Sequence, residues 1–503
     1  VELLRDINPE VRIAALIAVG KLQRPEMFNT ILDHLHIPSY SNTAMSALIY
    51  IGDRVFHASD TAFFKTGQHT STMVRVVQFF GIIGGKQAKE LLWKKIEFPD
   101  KQVVSELLKS LNALGFESKD FQSARIKLII ENLLGDIAWN IKAIQDIPKV
   151  EPIDPLDVEL LKALKEENIV NLNNLFILLG MIYDIHNVQL VKENLSLGSM
   201  DSVTFAIEML DVFVEDEIKP MLLPVLDDIT DKERLDLLLN FFPPEHFESY
   251  SDLLTQIVNR DFNRITRYTK SLAMDRLHQL PEARVSNSLI ANLFNPDVLL
   301  LQSAANSIYK MEPEAYQVHT NRIKPYSKLR LDEIIVPPVF AYKEEENYRK
   351  MLLVERVRFI KSLSSFASIP GESITRMVDA MNQRKVDKGT VLINEGDNVD
   401  LPLFVIIKGK VDLMRSGAVF KSLGPTNIMG EEIILFSEKY DYQAVAKEET
   451  SFFILPKEEI FDLMTLHSEI LRAFLDLIDT SKKSESIDPF DLSILDDNVS
   501  VFN

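Results

Sequence analysis

The 503-residue chain contains no cysteine, which excludes disulfides, thiolate nucleophiles and cysteine-bound metals and is compatible with a reducing compartment. It has no long apolar run: "NLFILLGMIYDI" falls far short of the ~20 residues that span a bilayer. Basic charge is scarce, with 55 Lys and Arg against 74 Asp and Glu and a net charge of −19. General nucleic-acid binding is therefore disfavoured, since phosphates need clustered cations. Glycine and proline, 17 and 22, are too few for a fibrous or low-complexity chain, and 46% hydrophobic residues place it with ordered soluble proteins. A chain of this length exceeds one core, so two or more domains are expected.

Catalytic signatures are missing too. No G-x-S-x-G elbow, H-E-x-x-H pair or EF-hand loop occurs. "GIIGGKQ" at 81–87 has Gln87, not Ser or Thr, after Lys86, and its glycines suit a turn between helices. In "LDHLHIP", His34 and His36 are two apart and face different ways on a helix, which is poor ligand geometry. The chain reads as a non-enzyme, with no metal or cofactor. It opens at Val1 inside a helical pattern, as a piece of a longer polypeptide would.

What the N-terminal part does contain is a repeat. "ALIAVGKL", "ALIYIGDR", "VQFFGIIGGK" and "KSLNALGF" align Gly20, Gly52, Gly84 and Gly115, and each closes an apolar stripe with helical spacing. A second helix follows, as in "EMFNTILDHL" and "AKELLWKKI". Two helices per ~32 residues must bury their faces against neighbouring pairs, which defines an α-solenoid. The first unit, "LRDINPEVRIAALIAVGKLQRPEMFNTILDHL", resembles a HEAT repeat: Asp6 and Pro9 break and cap the turn, Val11, Ala14, Ala15 and Ala18 form the packed stripe, and Arg12 matches an arginine such repeats often carry. Fainter units include Gly180 and Asp211 at equivalent places, and "NPDVLLLQSAANSIYKMEPE" near residue 300 echoes the opening "NPEVRIAALIAVGKLQRPE". The resemblance covers residues 1–320, weakly over 120–165 and 235–290. It implies a scaffold.

A proline- and charge-rich stretch, 321–349, reads as a linker. From there the period changes from 3.6 to 2: "KGTVLINEGD", "PLFVIIKGKVDLMRSG", "AVFKSLGP" and "YQAVAKEETSFFILP" alternate apolar and polar residues between glycine turns, as in a β-roll or barrel. Residues 350–480 resemble a cyclic nucleotide-binding domain, with Gly409 and Gly430 on the family's glycines. The fold class expected is mostly α, a HEAT-like α-solenoid followed by this C-terminal β-roll with flanking helices.

The resemblance places Glu431 on the acid that holds the ribose hydroxyl and Tyr440 where the phosphate-binding arginine belongs. With Gly430, Glu432, Gln443 and Ala444 these residues outline a candidate, degenerate pocket. A bidentate arginine gives charge-assisted bonds of about 1.5–3 kcal/mol each, whereas tyrosine keeps one neutral donor, and Asp441, Glu431 and Glu432 would repel a cyclic phosphate. Cyclic nucleotide binding is not expected, although an unusual small ligand remains the alternative. Glu431 and Gly430 also have an ordinary reading, as an acid favoured at a helix start and a turn glycine.

Two surfaces complete the reading. In "NRDFNRITRYTK", Arg260, Arg264 and Arg267 recur at i, i+4 and i+7, which on a helix sets three guanidinium groups on one face. That face is either solvated, paired with Asp261 and distant acids, or a patch for anionic lipid or an acidic partner. From Arg260 to Lys361 there are 17 Lys and Arg against 12 Asp and Glu, a balance of +5 that leaves −24 elsewhere. The acidic tail, 481–503, reads as disordered or as a short docking motif. The domain order resembles the cytoplasmic region of bacterial major-facilitator proteins related to ATP/ADP translocases. It implies a regulatory or scaffolding module at the inner face of the inner membrane, whose partner is a protein or a covalently linked membrane domain, and no nucleic acid.

Overall fold

The first long helix, Pro9–Leu22, begins where the sequence supplies both parts of a start signal. The Asn8 side chain accepts a hydrogen bond from the Glu10 amide at 2.9 Å, and Pro9 sits in the first turn, where its missing N–H costs nothing. Pro38–Ile51, Thr70–Ile83 and Lys101–Ala113 follow, each packed against the one before it. Shorter helices, Phe28–Leu32, Phe56–Phe63 and Gly85–Trp93, lie between them in the chain. The computed structural model describes residues 2–6, 8–149, 152–336, 350–398, 402–431, 439–467 and 469–476. They belong to two compact units, Val1–Ala341 and Tyr342–Asn503. Part of the expected linker, the tail 481–503 and Glu432 lie outside the described residues.

The register of the first helix differs from the sequence expectation. Ala15, Leu16, Val19 and Gly20 are buried, while Ala14 and Ala18 are exposed. Small residues turn to the next helix: a Cβ on Gly20 would lie 3.0 Å from the Ala47 Cα, so glycine there permits close approach. Gly52 and Gly84 instead end their helices at φ 76° and 70°. In the first helix that end is formed by Gln23, in the left-handed region at φ 51°. Gly20 therefore shares their spacing but not their role.

Residues 120–182 form two helices of 27 and 28 residues, Asp120–Asp146 and Pro155–Ile182, packed against each other. Each is about twice the length of the earlier repeat helices, which is why the ~32-residue period fades there. Pro155–Ile182 packs against both Lys101–Ala113 and Arg267–Leu277, and the latter against Val298–Met311. The echo of the opening sequence is also shifted: Asp297, not the asparagine of "NPDV", caps Val298–Met311 by accepting from the Leu300 amide. Among the described residues no helix is long and apolar enough to cross a membrane.

Among its described residues the C-terminal unit has eight strands: β1 Asn382–Val386, β2 Val391–Ile393, β3 Leu403–Lys408, β4 Val411–Arg415, β5 Ala418–Leu423, β6 Ile428–Met429, β7 Gln443–Ala446 and β8 Thr450–Leu455. They form two antiparallel sheets, ordered β1-β8-β3-β6 and β2-β7-β4-β5. Residues in β3 and β8 are buried in succession rather than alternately. Phe359 of the Leu353–Lys361 helix meets Phe453 of β8 edge to face at 5.6 Å. The molecule is thus mostly helical, with a C-terminal antiparallel β domain.

Candidate functional site

Two glycines shape the turns around the expected pocket. Gly409, between β3 and β4, has φ 93°, and a Cβ there would lie 2.5 Å from Thr450 Oγ1 and 2.6 Å from the Glu449 carbonyl oxygen. Gly430, after β6, has φ 88°, with the Pro402 carbonyl oxygen 2.9 Å from a Cβ position. Both the backbone angle and the space demand glycine. Glu431 follows, half-buried. The β4–β5 hairpin turns through Ser416 and Gly417, both at positive φ, as a two-residue turn matched to strand twist requires.

From residue 440 the chain alternates strictly. Tyr440, Tyr442, Ala444 and Ala446 are buried, whereas Asp441 is exposed and Gln443 and Val445 are half-buried. The Tyr440 backbone is held on both sides: its amide donates to the Asp397 carbonyl at 3.0 Å and its carbonyl accepts from the Gly396 amide at 2.8 Å. Its ring, 1% exposed, meets the Tyr442 ring at 5.7 Å. Gln443 thus lies on the opposite side of the strand from Tyr440 and Ala444.

Asp441 departs from its expected role. It is not an acid facing a ligand: its carboxylate accepts from Arg415 Nη2 of β4 at 2.7 Å, and its carbonyl accepts from Arg415 Nε at 3.2 Å. Period two decides this, because Tyr440 inside forces Asp441 outside. Arg415 also covers the Phe420 ring, its Cζ 4.6 Å from the centroid. Sequence reasoning missed Arg415, although pairing of Met414 with Gln443 brings it beside Asp441.

The three arginines of the helical unit are not on one helix face. Arg260 ends the Tyr250–Asn259 helix, Arg264 lies in the turn that follows, and Arg267 starts Arg267–Leu277. Arg260 and Arg264 donate to the same oxygen of buried Asp136, at 2.6 and 3.0 Å, and Arg267 pairs with Asp297 at 2.8 Å. Arg260 also stacks on Trp139, 3.8 Å from the ring centroid. Beside them, buried Glu167 accepts from Lys101 Nζ, the Thr266 amide and hydroxyl, and the Thr269 hydroxyl, all within 2.6–2.8 Å. Burial alone would raise the Glu167 carboxyl, but Lys101 and Thr266 outweigh it and hold it below the ordinary range. Apart from Arg267 and Asp297, these partners are 66 to 128 residues apart, so no local pattern announces them.

His34 and His36 go to different partners. His34 Nδ1 contacts the Thr30 carbonyl and Nε2 the Leu4 carbonyl, whereas His36 stacks on His69 at 4.4 Å.

Residues 383–467 match the cyclic nucleotide-binding domain family. Human (Homo sapiens) cGMP-dependent protein kinase 2 is 23% identical over 142 residues, 27% of this chain and 18% of the kinase. This chain therefore spans less than a fifth of that relative. A putative cyclic nucleotide-binding protein from Geobacter metallireducens GS-15 is 16% identical, with a TM-score of 0.24, covering 25% of this chain and 95% of that one. A cyclic nucleotide-binding domain from Methylobacillus flagellatus is 22% identical, with a TM-score of 0.25, covering 27% and 82%. The C-terminal unit carries a domain of the cyclic nucleotide-binding type, a regulatory module.

Proposed function

We propose that the chain is a non-catalytic regulatory module whose β domain has given up high-affinity cyclic nucleotide binding and works through protein contact. The observation that carries this is Tyr440. At the position where the family resemblance puts the phosphate-binding arginine, a buried neutral ring packs against Tyr442. A cyclic phosphate brought there would lose its water and gain no cation from residue 440. The helical unit is proposed to be a HEAT-type array, supported by helices that recur at ~32 residues and pack on their predecessors. Its partner is a protein or a linked membrane domain of a bacterial transporter-like protein, a reading that rests on domain order and places the module at the inner membrane face.

Calorimetry with cyclic AMP and cyclic GMP tests the reading. No saturable heat is expected at sub-millimolar ligand. Tyr440→Arg restores one bidentate contact, about 2–4 kcal/mol, and should tighten binding some thirty- to several-hundred-fold if Gly430 and Glu431 still frame a pocket. Asp441 should be left in place, because it is committed to Arg415. Tight binding by the unaltered chain would replace this reading with that of a small-molecule sensor.

A further inference from the structure

A cavity of about 350 Å³ lies within the helical unit. One wall is the Asp120–Asp146 helix, through Glu131, Gly135, Trp139 and Lys142. The others are Leu235, the segment Phe241–Glu245, and the turn carrying Arg260 and Arg264. Phe242 lies flush against Gly135, its ring 3.1 Å from a Cβ position, so the glycine makes room for the aromatic wall. Aromatic lining with a few polar groups is the composition of a small-molecule site. An apolar cavity of about 150 Å³ already accepts benzene. The volume here leaves room for a ring and a short polar chain.

The charges select the ligand. Five ionisable side chains line the cavity, and three are committed: Arg260 to Asp136 and Trp139, Lys142 to Asp146 at 2.6 Å, and Glu245 to the Trp139 indole N–H at 2.8 Å. Two are not. Arg264 uses only Nη1, toward Asp136, and its side chain is 41% exposed. Glu131 is exposed, and no ion pair joins it to Arg264 among the described residues. The spare guanidinium donors of Arg264 and the exposed Glu131 carboxylate, beside an aromatic wall, fit a ligand with a ring, a carboxylate and an ammonium group. We infer that this cavity binds an aromatic amino acid or a close aromatic zwitterion, its carboxylate on Arg264, its ammonium on Glu131 and its ring against the Trp139 and Phe242 wall. This site is separate from the β domain and does not depend on the function proposed above.

The chain has two tryptophans, Trp93 and Trp139. A Trp93→Phe protein, which keeps a ring to stack on Phe116, makes Trp139 the sole reporter. Its fluorescence, excited at a wavelength the ligands do not absorb, is titrated with L-phenylalanine, phenethylamine and hydrocinnamate, which share the ring and carry both charges, the cation alone and the anion alone. The expected result is saturable change with L-phenylalanine below millimolar concentration, with each single-charge analogue at least about tenfold weaker. Arg264→Gln should bring L-phenylalanine down to the level of phenethylamine, and Glu131→Gln to that of hydrocinnamate. Asp136 keeps Arg260 in the first variant, and Glu131 is exposed in the second, so thermal melts should match the parent. No saturable change up to ten millimolar, or equal affinity for either single-charge analogue, would overturn the inference without reference to any variant.

Discussion

Besides surface pairs such as Lys65–Asp33, the helical unit holds ion pairs in its interior; those between strands of the β domain are at the rim. Lys101 and Glu167 are 8% and 2% exposed, and Arg276–Asp157 and Arg260–Asp136 are similarly enclosed. Arg415 and Asp441 are 48% and 72% exposed, and Lys385–Glu449 and Lys447–Asp412 also reach solvent. Short glycine-turned strands bury mainly small apolar side chains and rings, such as Ala444, Phe452 and Phe453. Helices as long as Asp120–Asp146 and Pro155–Ile182 meet several neighbours and bring distant charges together. The difference separates two kinds of specificity: backbone geometry fixes the β domain, and buried polar contacts fix the joints of the helical unit.

The sharpest test of that contrast is Glu167→Ala. It leaves Lys101 buried without its carboxylate and removes the acceptor for Thr266 and Thr269, so the loss should be about 3–5 kcal/mol. Both tryptophans lie in the helical unit, so their fluorescence in a denaturant melt reports this loss and nothing from the β domain. An unchanged midpoint would show that the Glu167 cluster does not hold the unit together.

The β domain should be most sensitive at its turns. Gly409→Ala combines a positive φ with a collision against Thr450, and a cost of about 1–3 kcal/mol or more is expected. Gly417→Ala, also at positive φ but with open space around its Cβ position, should cost less. The check is the far-ultraviolet melt of the isolated strand signal. Equal costs would mean that backbone angle alone, and not the approach of β8, fixes Gly409.

That sensitivity explains what was legible in the sequence. Gly409 and Gly430 stand out because nothing else fits where they are, and strand alternation follows from period two. The helical repeats were visible as stripes at ~32 residues, but rotation about the helix axis was not: Ala14 and Ala18 read as core yet face solvent, because the stripe was aligned on Gly20, which packs against Ala47 instead of ending its helix. The arginines stand out as a group, but their spacing suits a helix through residues 260–267, where the chain in fact turns. Asp136, Glu167 and Trp139 carry no mark of their role, since each acquires it from residues about a hundred positions away.

pH should separate the units further. Burial, and next the nearby Lys310, pull His278 down to about 4. The unfolded histidine takes a proton near its ordinary value of 6.5, so the stability due to His278 is present above that pH and is lost as pH falls toward 4. Burial, with Asp462 and Glu458, pushes Glu459 up to about 7. Its sign is opposite: the contribution is full below the ordinary 4.5 and is lost as pH rises through 7. Burial would raise Glu469, but donors from His467 and Ser373 outweigh it and hold it near 2, so its contribution is full above the ordinary 4.5 and is lost as pH falls toward 2. Lowering pH from 7 to 5.5 should therefore weaken the tryptophan-reported unit and strengthen the β domain. His278→Gln should flatten the first trend and Glu459→Gln the second; parallel trends in both units would contradict the assignment.

The smallest effect should come from Asp441→Ala. Its pair with Arg415 has good geometry, with two contacts at 2.7 and 3.2 Å, and by distance alone would look as strong as Lys101–Glu167. Exposure decides otherwise. Water solvates both partners when they separate, salt screens them, and the guanidinium keeps its contact with Phe420 after the carboxylate is gone. The carbonyl of residue 441 also remains to accept from Arg415 Nε. A change within about 0.5 kcal/mol is expected, and it should shrink further in high salt. A loss above about 2 kcal/mol would place Asp441 among the residues that fix the strand register, and would mean that the rim of the β domain, like the interior of the helical unit, is held by charge.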